Sequence, residues 1–305
     1  MSQFAISGVY SAAVTPLNAD FLPDLELFAA HCQHLIADGC HGIALLGTTG
    51  EANSFSIAER KTILESTLKA GLSPDQLLPG TGLSAVPDTV DLTRHALSLG
   101  VTKVVMLPPF YYKGVSDEGL YAAYARIIEG VADDRLRIVL YHIPQMSAVP
   151  LSLGLIERLV KAFPHTVVGI KDSAGQFDNM QALIAAFPGF SVLAGADPLL
   201  QPLLKAGGAG CITATSNVIA RSLRTVFEHG NDPARAAEVE AAQARIVAYR
   251  TLSNDYTQIP AIKTMVGLQS GVSGWNRMRA PMLALDAAKV ADLTTKFRAL
   301  QASHG

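Results

Sequence analysis

The sequence predicts an α/β fold, a (β/α)8 TIM barrel with a C-terminal helical extension, and three observations carry that prediction. Short apolar, β-branched runs ending in Gly, Pro, Thr or Asp recur eight times along the chain. Between them stand longer stretches whose apolar residues return at three and four. After "GCITATSNVIARSLRTVFEHG" the strand signals cease and the chain reads as helix after helix. Strands that are apolar on both faces and alternate with helices call for a parallel sheet covered by those helices, and eight such units match a closed barrel. A doubly wound open sheet is the runner-up. The reading divides the chain into a barrel, 1–225, and an extension, 226–305, packed on it.

The runs, in order, are "GVYSAAVTP", "GIALLGTTGE", "LLPGTG", "KVVMLPP", "RIVLYHIP", "VVGIKDSAG", "SVLAGAD" and "GCITATSN". The amphipathic stretches between them include "DLELFAAHCQHLIADG", "SIAERKTILESTLKAG", "TVDLTRHALSLG", "DEGLYAAYARIIEGVA", "LSLGLIERLVKAF" and "DNMQALIAAF". Ser56, three residues before Glu59, is a capping box, and Asp117, Ser152 and Asp178 stand where N-caps belong. Gly39, Gly71, Gly100 and Gly130 are placed to end helices. The extension comprises "DPARAAEVEAAQARIVAYRTL" and "APMLALDAAKVADLTTKFRAL".

Composition narrows the function. The 305 residues are 49% hydrophobic and 16% charged with a net charge of -2, and no run of like charges favours nucleic acid or an anionic membrane. The start, "MSQFAISGVYSAAVTP", lacks the basic and apolar regions of a signal peptide, and no later stretch is long and apolar enough to span a bilayer. Cys32, Cys40 and Cys211, an odd set in apolar settings, are expected to be reduced, packed thiols. The expectation is a cytoplasmic protein whose partners are small molecules or copies of itself.

In such barrels the site forms at the C-terminal ends of the strands, which here present Thr15, Thr48, Thr49, Glu51, Thr81, Pro109, Tyr141, Lys171, Asp197, Thr213 and Thr215. Lys171 is the outlier. Apolar surroundings disfavour an ammonium and lower its pKa, and an amine that is partly neutral is a nucleophile. The competing reading is a lysine that snorkels to solvent or pairs with Asp172. Tyr141, on the neighbouring strand, can pass a proton to or from a carbinolamine or imine at Lys171; its competing role is packing under a loop. "GTTGE", 47–51, combines glycines, two hydroxyls and backbone N–H groups that can hold a carboxylate, although a plain βα turn has the same composition. His31 and His34, three apart, are read as surface-helix side chains rather than metal ligands, and His142 as packing on the strand face opposite Tyr141.

Three motifs, "GTTGE" at 47–51, "YHIP" at 141–144 and "GIKDSAG" at 169–175, resemble the pyruvate-dependent class I aldolase family that contains dihydrodipicolinate synthase and N-acetylneuraminate lyase. Further similarity in "LPPFYYKGVSDEGLY" and "AGGAGCITATSN" extends it over nearly the whole barrel. The resemblance implies that Lys171 forms a Schiff base with a 2-oxo acid, that Thr48 and Thr49 hold its carboxylate, and that Tyr141 transfers protons above the imine. It implies a relay tyrosine lent by a neighbouring subunit: Tyr111 is the better match by distance from Pro109, with Tyr112 the alternative. Gly195 and Ile212 match positions lining the pyruvate pocket. It further implies no metal and no cofactor beyond the covalent imine, and a homodimer or homotetramer.

The departures bear on the substrate. Where the lysine-biosynthesis synthases carry a carboxylate-binding arginine, this chain has Met146; where the sialic-acid lyases carry an Asp-Glu pair and a serine, it has Asp197, Pro198 and Ala214. Met146, Ser173, Asp197 and Thr213 are the candidates for the distal pocket. The reading is a lyase that cleaves or condenses a 2-oxo acid, a 2-keto-3-deoxy sugar acid or similar hydroxy-oxo acid, with pyruvate as one component and an aldehyde as the other. The alternatives are a 4-hydroxy-tetrahydrodipicolinate synthase and a 2-keto-3-deoxy acid dehydratase using the same imine. Readings of other chemistry are a phosphosugar isomerase with a phosphate site at "GGAG", 207–210, and a barrel that binds 2-oxo acids without turnover.

Overall fold

In the computed structural model, which describes residues 5–303, seven strands form one parallel sheet. They are β1 (Gly8–Ser11), β2 (Gly42–Ile43), β3 (Lys103–Met106), β4 (Arg137–His142), β5 (Val167–Asp172), β6 (Ser191–Ala194) and β7 (Gly210–Thr213), in the order β2-β1-β7-β6-β5-β4-β3. The eighth place is taken by residues 77–81, the "LLPGTG" run, as single bridges rather than a ladder. Leu78 and Gly80 donate to Ile43 and Leu45 at 2.9 Å each, and on the other side Thr81 donates to Val105 at 3.1 Å and Val105 to Pro79 at 3.0 Å. This segment therefore joins β2 to β3 and closes the barrel. Pro79 has no N–H to give, which shortens the ladder. Gly80 is required there, since a Cβ would stand 2.1 Å from the Leu46 carbonyl oxygen. Residues 1–4, the beginning of the stretch considered for a signal peptide, lie outside the described residues.

The two-residue strand period sorts side chains into two cores. Tyr10, Ala44, Val105, Val139, Tyr141, Leu193 and Ile212 fill the barrel interior. Their neighbours, such as Val9, Ile43, Val104, Ile138, Leu140, Ile170 and Val192, pack outward in a larger cluster with the helices. The covering helices are α1 (Leu25–Ala37), α2 (Ile57–Lys69), α3 (Val86–Ser98), α4 (Asp117–Val131), α6 (Leu153–Ala162), α7 (Phe177–Ala186), α8 (Leu200–Lys205) and α9 (Ser216–His229), with one turn, α5 (Pro144–Ser147), inserted after β4.

Ser56 and Glu59 form the reciprocal capping box, and Ser152 accepts from the Leu155 amide. Three helix ends differ from the sequence reading. Ser116, not Asp117, caps α4, leaving Asp117 in the first turn, where its charge favours the helix dipole. α7 starts one residue before Asp178, which likewise lies in the first turn. Gly130 is interior to α4, which ends at Ala132 in the left-handed region. The eighth barrel helix, α9, runs to His229, and α10 (Ala236–Asn254), α11 (Gln258–Ser270) and α12 (Ala287–Ser303) follow it. Tyr249 of α10 and Phe297 of α12, both fully buried, meet edge to face at 5.7 Å. Among the described residues no helix is long and apolar enough to cross a membrane.

Candidate active site

Parallel registry of β4 with β5 sets Tyr141 opposite Lys171. Both side chains point into the barrel mouth, and the Lys171 Nζ lies 4.3 Å from the centre of the Tyr141 ring. Lys171 is buried, 6% exposed, and forms no ion pair among the described residues. Its neighbour Asp172 faces the other way by strand alternation, accepting from the Ala174 amide at 2.8 Å and from Asn179 Nδ2 at 2.6 Å. Neither competing reading of the lysine, snorkelling or pairing with Asp172, describes this geometry. His142 also faces outward, where its Nδ1 accepts from the Leu151 amide at 3.2 Å and burial lowers its pKa, against the charge of Asp172.

The "GTTGE" loop delivers hydroxyls to the same mouth. Thr48 Oγ1 and the Tyr141 hydroxyl are 3.3 Å apart. The loop is braced from both sides. Thr15, at the end of the first run, donates to the Gly50 carbonyl at 2.9 Å. Glu51, in the left-handed region at φ 58, is fully buried and takes a bond of 2.7 Å from Lys263 of α11, whose Nζ also donates to the Arg277 carbonyl at 2.6 Å. Burial lowers the pKa of Lys263, and the carboxylate of Glu51 works against that shift. Braced in this way, the loop sets Thr48 and Thr49 in the cavity wall beside Lys171 and Tyr141.

Lys171, Tyr141, Thr48 and Thr49 line one cavity of about 260 Å³ together with Ile143, Gln145, Ser173, Ala174, Gly175, Gly195, Ala196, Ile212, Ala214, Arg250 and Gln258. Gly195 has to be glycine, since a Cβ would meet Ser173 Oγ at 2.0 Å.

Of the residues read from the sequence, Lys171, Tyr141, Thr48, Thr49, Ser173, Gly195 and Ile212 come together in this cavity. Four do not. Met146 is 64% exposed on α5, and it is Gln145 that lines the cavity, its amide held by the Ser173 carbonyl at 2.6 Å. Thr213 follows the inward Ile212 on β7 and so faces outward and is buried. Asp197 is fully buried behind the wall and bound to Arg250. Tyr111 is 72% exposed on the loop after β3, stacked edge to face on Tyr112 at 5.3 Å, and does not line the cavity of its own chain.

A further correction concerns a histidine. His31 is buried, unlike His34, and its Nε2 lies 2.9 Å from Asn217 Oδ1. The Asn217 amide nitrogen already donates to the Ala12 and Ala214 carbonyls, so Oδ1 is an acceptor and His31 must carry its proton on Nε2. Burial pushes its pKa down to about 4. Arg250 and Gln258 enter the cavity from α10 and α11, a contribution that strand-end reasoning cannot find because neither follows a strand. Cys32, Cys40 and Cys211 are free and buried.

A parallel barrel with a lysine buried in its mouth, a tyrosine beside it and a hydroxyl loop opposite defines a class of carbonyl-handling lyases. Residues 5–300 match the model of the dihydrodipicolinate synthetase family. The chain is 34% identical over 296 residues, 97% of each protein, to an uncharacterized DapA-like lyase of Chloroflexus aurantiacus. It is 34% identical over 215 residues, 70% of this chain and 71% of the other, to the 4-hydroxy-tetrahydrodipicolinate synthase of Rhizobium meliloti. The structure superposes on dihydrodipicolinate synthase from Agrobacterium tumefaciens with a TM-score of 0.86 at 30% identity, covering 96% of this chain and 99% of that one. It superposes on YagE, a family member from E. coli K12 in complex with pyruvate, with a TM-score of 0.89 at 25% identity, covering 97% and 99%. The chain belongs to the dihydrodipicolinate synthetase family and is a lyase of the aldolase type.

Proposed function

We propose that Lys171 is the nucleophile of a Schiff-base lyase that binds pyruvate and cleaves or condenses a hydroxylated 2-oxo acid. The observation that carries this reading is a buried lysine beside the Tyr141 ring, with no counter-ion among the described residues. The free amine adds to the ketone carbon, the carbinolamine loses water, and the iminium accepts the electrons of an adjacent C–H or C–C bond to give an enamine. Tyr141, with Thr48 3.3 Å from its hydroxyl, carries the protons that the carbinolamine gains and loses. Thr48 and Thr49 receive the carboxylate. The chemistry draws on no metal or other cofactor.

The same enamine can expel a β-hydroxyl or meet an aldehyde, so cleavage, condensation and dehydration share these residues. A synthase of lysine biosynthesis remains the alternative, favoured by the named relatives; a neutral, exposed Met146 supports the sugar-acid or hydroxy-oxo-acid branch.

The test is intact-protein mass spectrometry after incubation with pyruvate and borohydride, on wild type and Lys171→Ala. One reduced pyruvate adduct on wild type and none on the variant is the expected result. An adduct that persists in the variant would assign the chemistry to another amine, and none on either protein would end the imine reading.

A further inference from the structure

The loop that carries Thr48 and Thr49 lies between two non-glycine residues in the left-handed region, Leu46 at φ 57 and Glu51 at φ 58. Such backbone is uncommon for a residue with a side chain and persists where the surroundings over-determine it. At Glu51 they do so through charge. Its carboxylate and the Lys263 ammonium are fully buried and 2.7 Å apart, and its second oxygen, Oε2, has no partner among the described residues. Lys263 is thus the counter-charge on which burial of this carboxylate depends. From Glu51 the constraint reaches the site in two short steps. The Glu51 amide donates to the Thr48 carbonyl at 3.1 Å, and Thr48 Oγ1 lies 3.3 Å from the Tyr141 hydroxyl. Lys263 is itself pinned by the Arg277 carbonyl at 2.6 Å, and the Arg277 guanidinium donates to the Leu17 carbonyl at 3.0 Å. Two residues on, Arg279 donates to the Ser54 carbonyl at 2.8 Å and to Glu59 at 3.0 Å. The extension therefore grips the threonine loop at Glu51 and the arm that follows it at Ser54 and Glu59.

We propose that Glu51 and Lys263 are positioning residues for imine formation: their ion pair holds the loop in the conformation in which Thr48 and Thr49 meet the carboxylate of a 2-oxo acid bound at Lys171. This rests on the imine reading above and deepens it, since it makes the helical extension part of the machinery that recognises the substrate. Neither residue lines the cavity, so both act through the backbone of Thr48. Without the pair Glu51 is free to leave the left-handed region, and the loop relaxes toward ordinary backbone. The amine is unaffected, because Lys171 is carried by β5, whose ladders to β4 and β6 do not involve the loop. Loss of the pair therefore weakens recognition of the carboxylate and spares the nucleophile.

The experiment compares pyruvate with methyl pyruvate, the same ketone with its carboxylate masked as a neutral ester, as borohydride-reduced adducts on the full chain, with Lys171→Ala as the blank. Wild type should half-saturate with pyruvate at a concentration at least about tenfold lower, and Lys263→Met should lose most of that preference by raising the pyruvate value while leaving the ester value near wild type. Melting midpoints separate positioning from stability. Adding Glu51→Gln removes the unpaired charge and should recover part of the midpoint, yet the preference should stay low, because a glutamine facing a methionine is gripped by nothing; this double variant also supplies the reading if Lys263→Met does not fold. Phe297→Leu, which loosens the extension's packing on Tyr249 away from the loop, should lower the midpoint and keep the preference. A preference that survives Lys263→Met, that returns with the midpoint in the double variant, or that falls as far in Phe297→Leu would overturn the proposal, as would equal half-saturation in wild type. Failure of wild type to trap either ketone would instead remove the imine reading on which it rests.

Discussion

At Lys171 the alternation of a single strand separates two charges: the lysine turns into the barrel mouth and Asp172 turns out to Asn179. The neighbouring strand supplies Tyr141 at the same height, so replacing its hydroxyl removes a proton carrier while leaving the ring against the amine. Tyr141→Phe is expected to lower kcat by about 10²- to 10⁴-fold with little change in stability, measured by steady-state kinetics and thermal melting; an unaltered kcat would transfer the role elsewhere. His31 makes a different prediction. Its folded pKa is about 4, below the ordinary 6.5, so below pH 6.5 the unfolded chain binds a proton that the folded one does not. Its contribution to stability is complete above pH 6.5 and is lost as pH falls to about 4, a total of about 3 kcal/mol. Urea titrations across that window should show a flatter pH slope for His31→Gln than for wild type, and identical slopes would refute the assignment.

At the scale of elements, the loop that serves the substrate carboxylate is held by two unrelated parts of the chain. Thr15 holds it from the first strand end, and Lys263 of α11 holds it through Glu51. Removing one partner of a buried ion pair leaves the other charged and unpaired, which costs about 3–5 kcal/mol. Lys263→Met should therefore lower the urea midpoint sharply, and adding Glu51→Gln should restore part of the loss. A second substitution that adds its own full penalty would show that the two groups act independently. The motif "GTTGE" was legible in the sequence, as were the capping box at Ser56 and the alternation of strands and helices. The brace was not, because Glu51 and Lys263 lie 212 positions apart and α11 carries no signal for which side chain it turns inward. The helix boundaries at Asp117, Asp178 and Gly130 differ from the sequence reading by a residue or two, because backbone geometry overrides residue type at the ends: Ser116 caps α4 in place of its neighbour Asp117, Gln176 opens α7 without a side-chain cap, and α4 ends at Ala132 in the left-handed region.

For the whole molecule, the exposed pair Tyr111 and Tyr112 stands on a loop away from its own cavity. A relay lent across an interface requires at least a dimer. Sedimentation at assay concentrations should show one, and Tyr111→Phe mixed with Lys171→Ala should regain activity above either variant alone if the sites exchange tyrosines. A fully active monomer would rule out the shared relay. Length, composition and the eightfold alternation sufficed for the barrel, because the two-residue and 3.6-residue periods are local properties of a chain that must bury one face of every element. They also sufficed for Lys171, Tyr141 and Thr48, because a barrel places its chemistry at strand ends that are themselves visible as the ends of apolar runs. Other parts of the cavity wall were decided by the tertiary structure alone. Arg250 and Gln258 arrive from helices beyond the barrel, and Met146, Asp197 and Thr213 are turned away by a one-turn helix, an ion pair and strand parity. Which residues face one another across such a cavity depends on packing between distant segments, and that packing leaves no periodicity for the sequence to display.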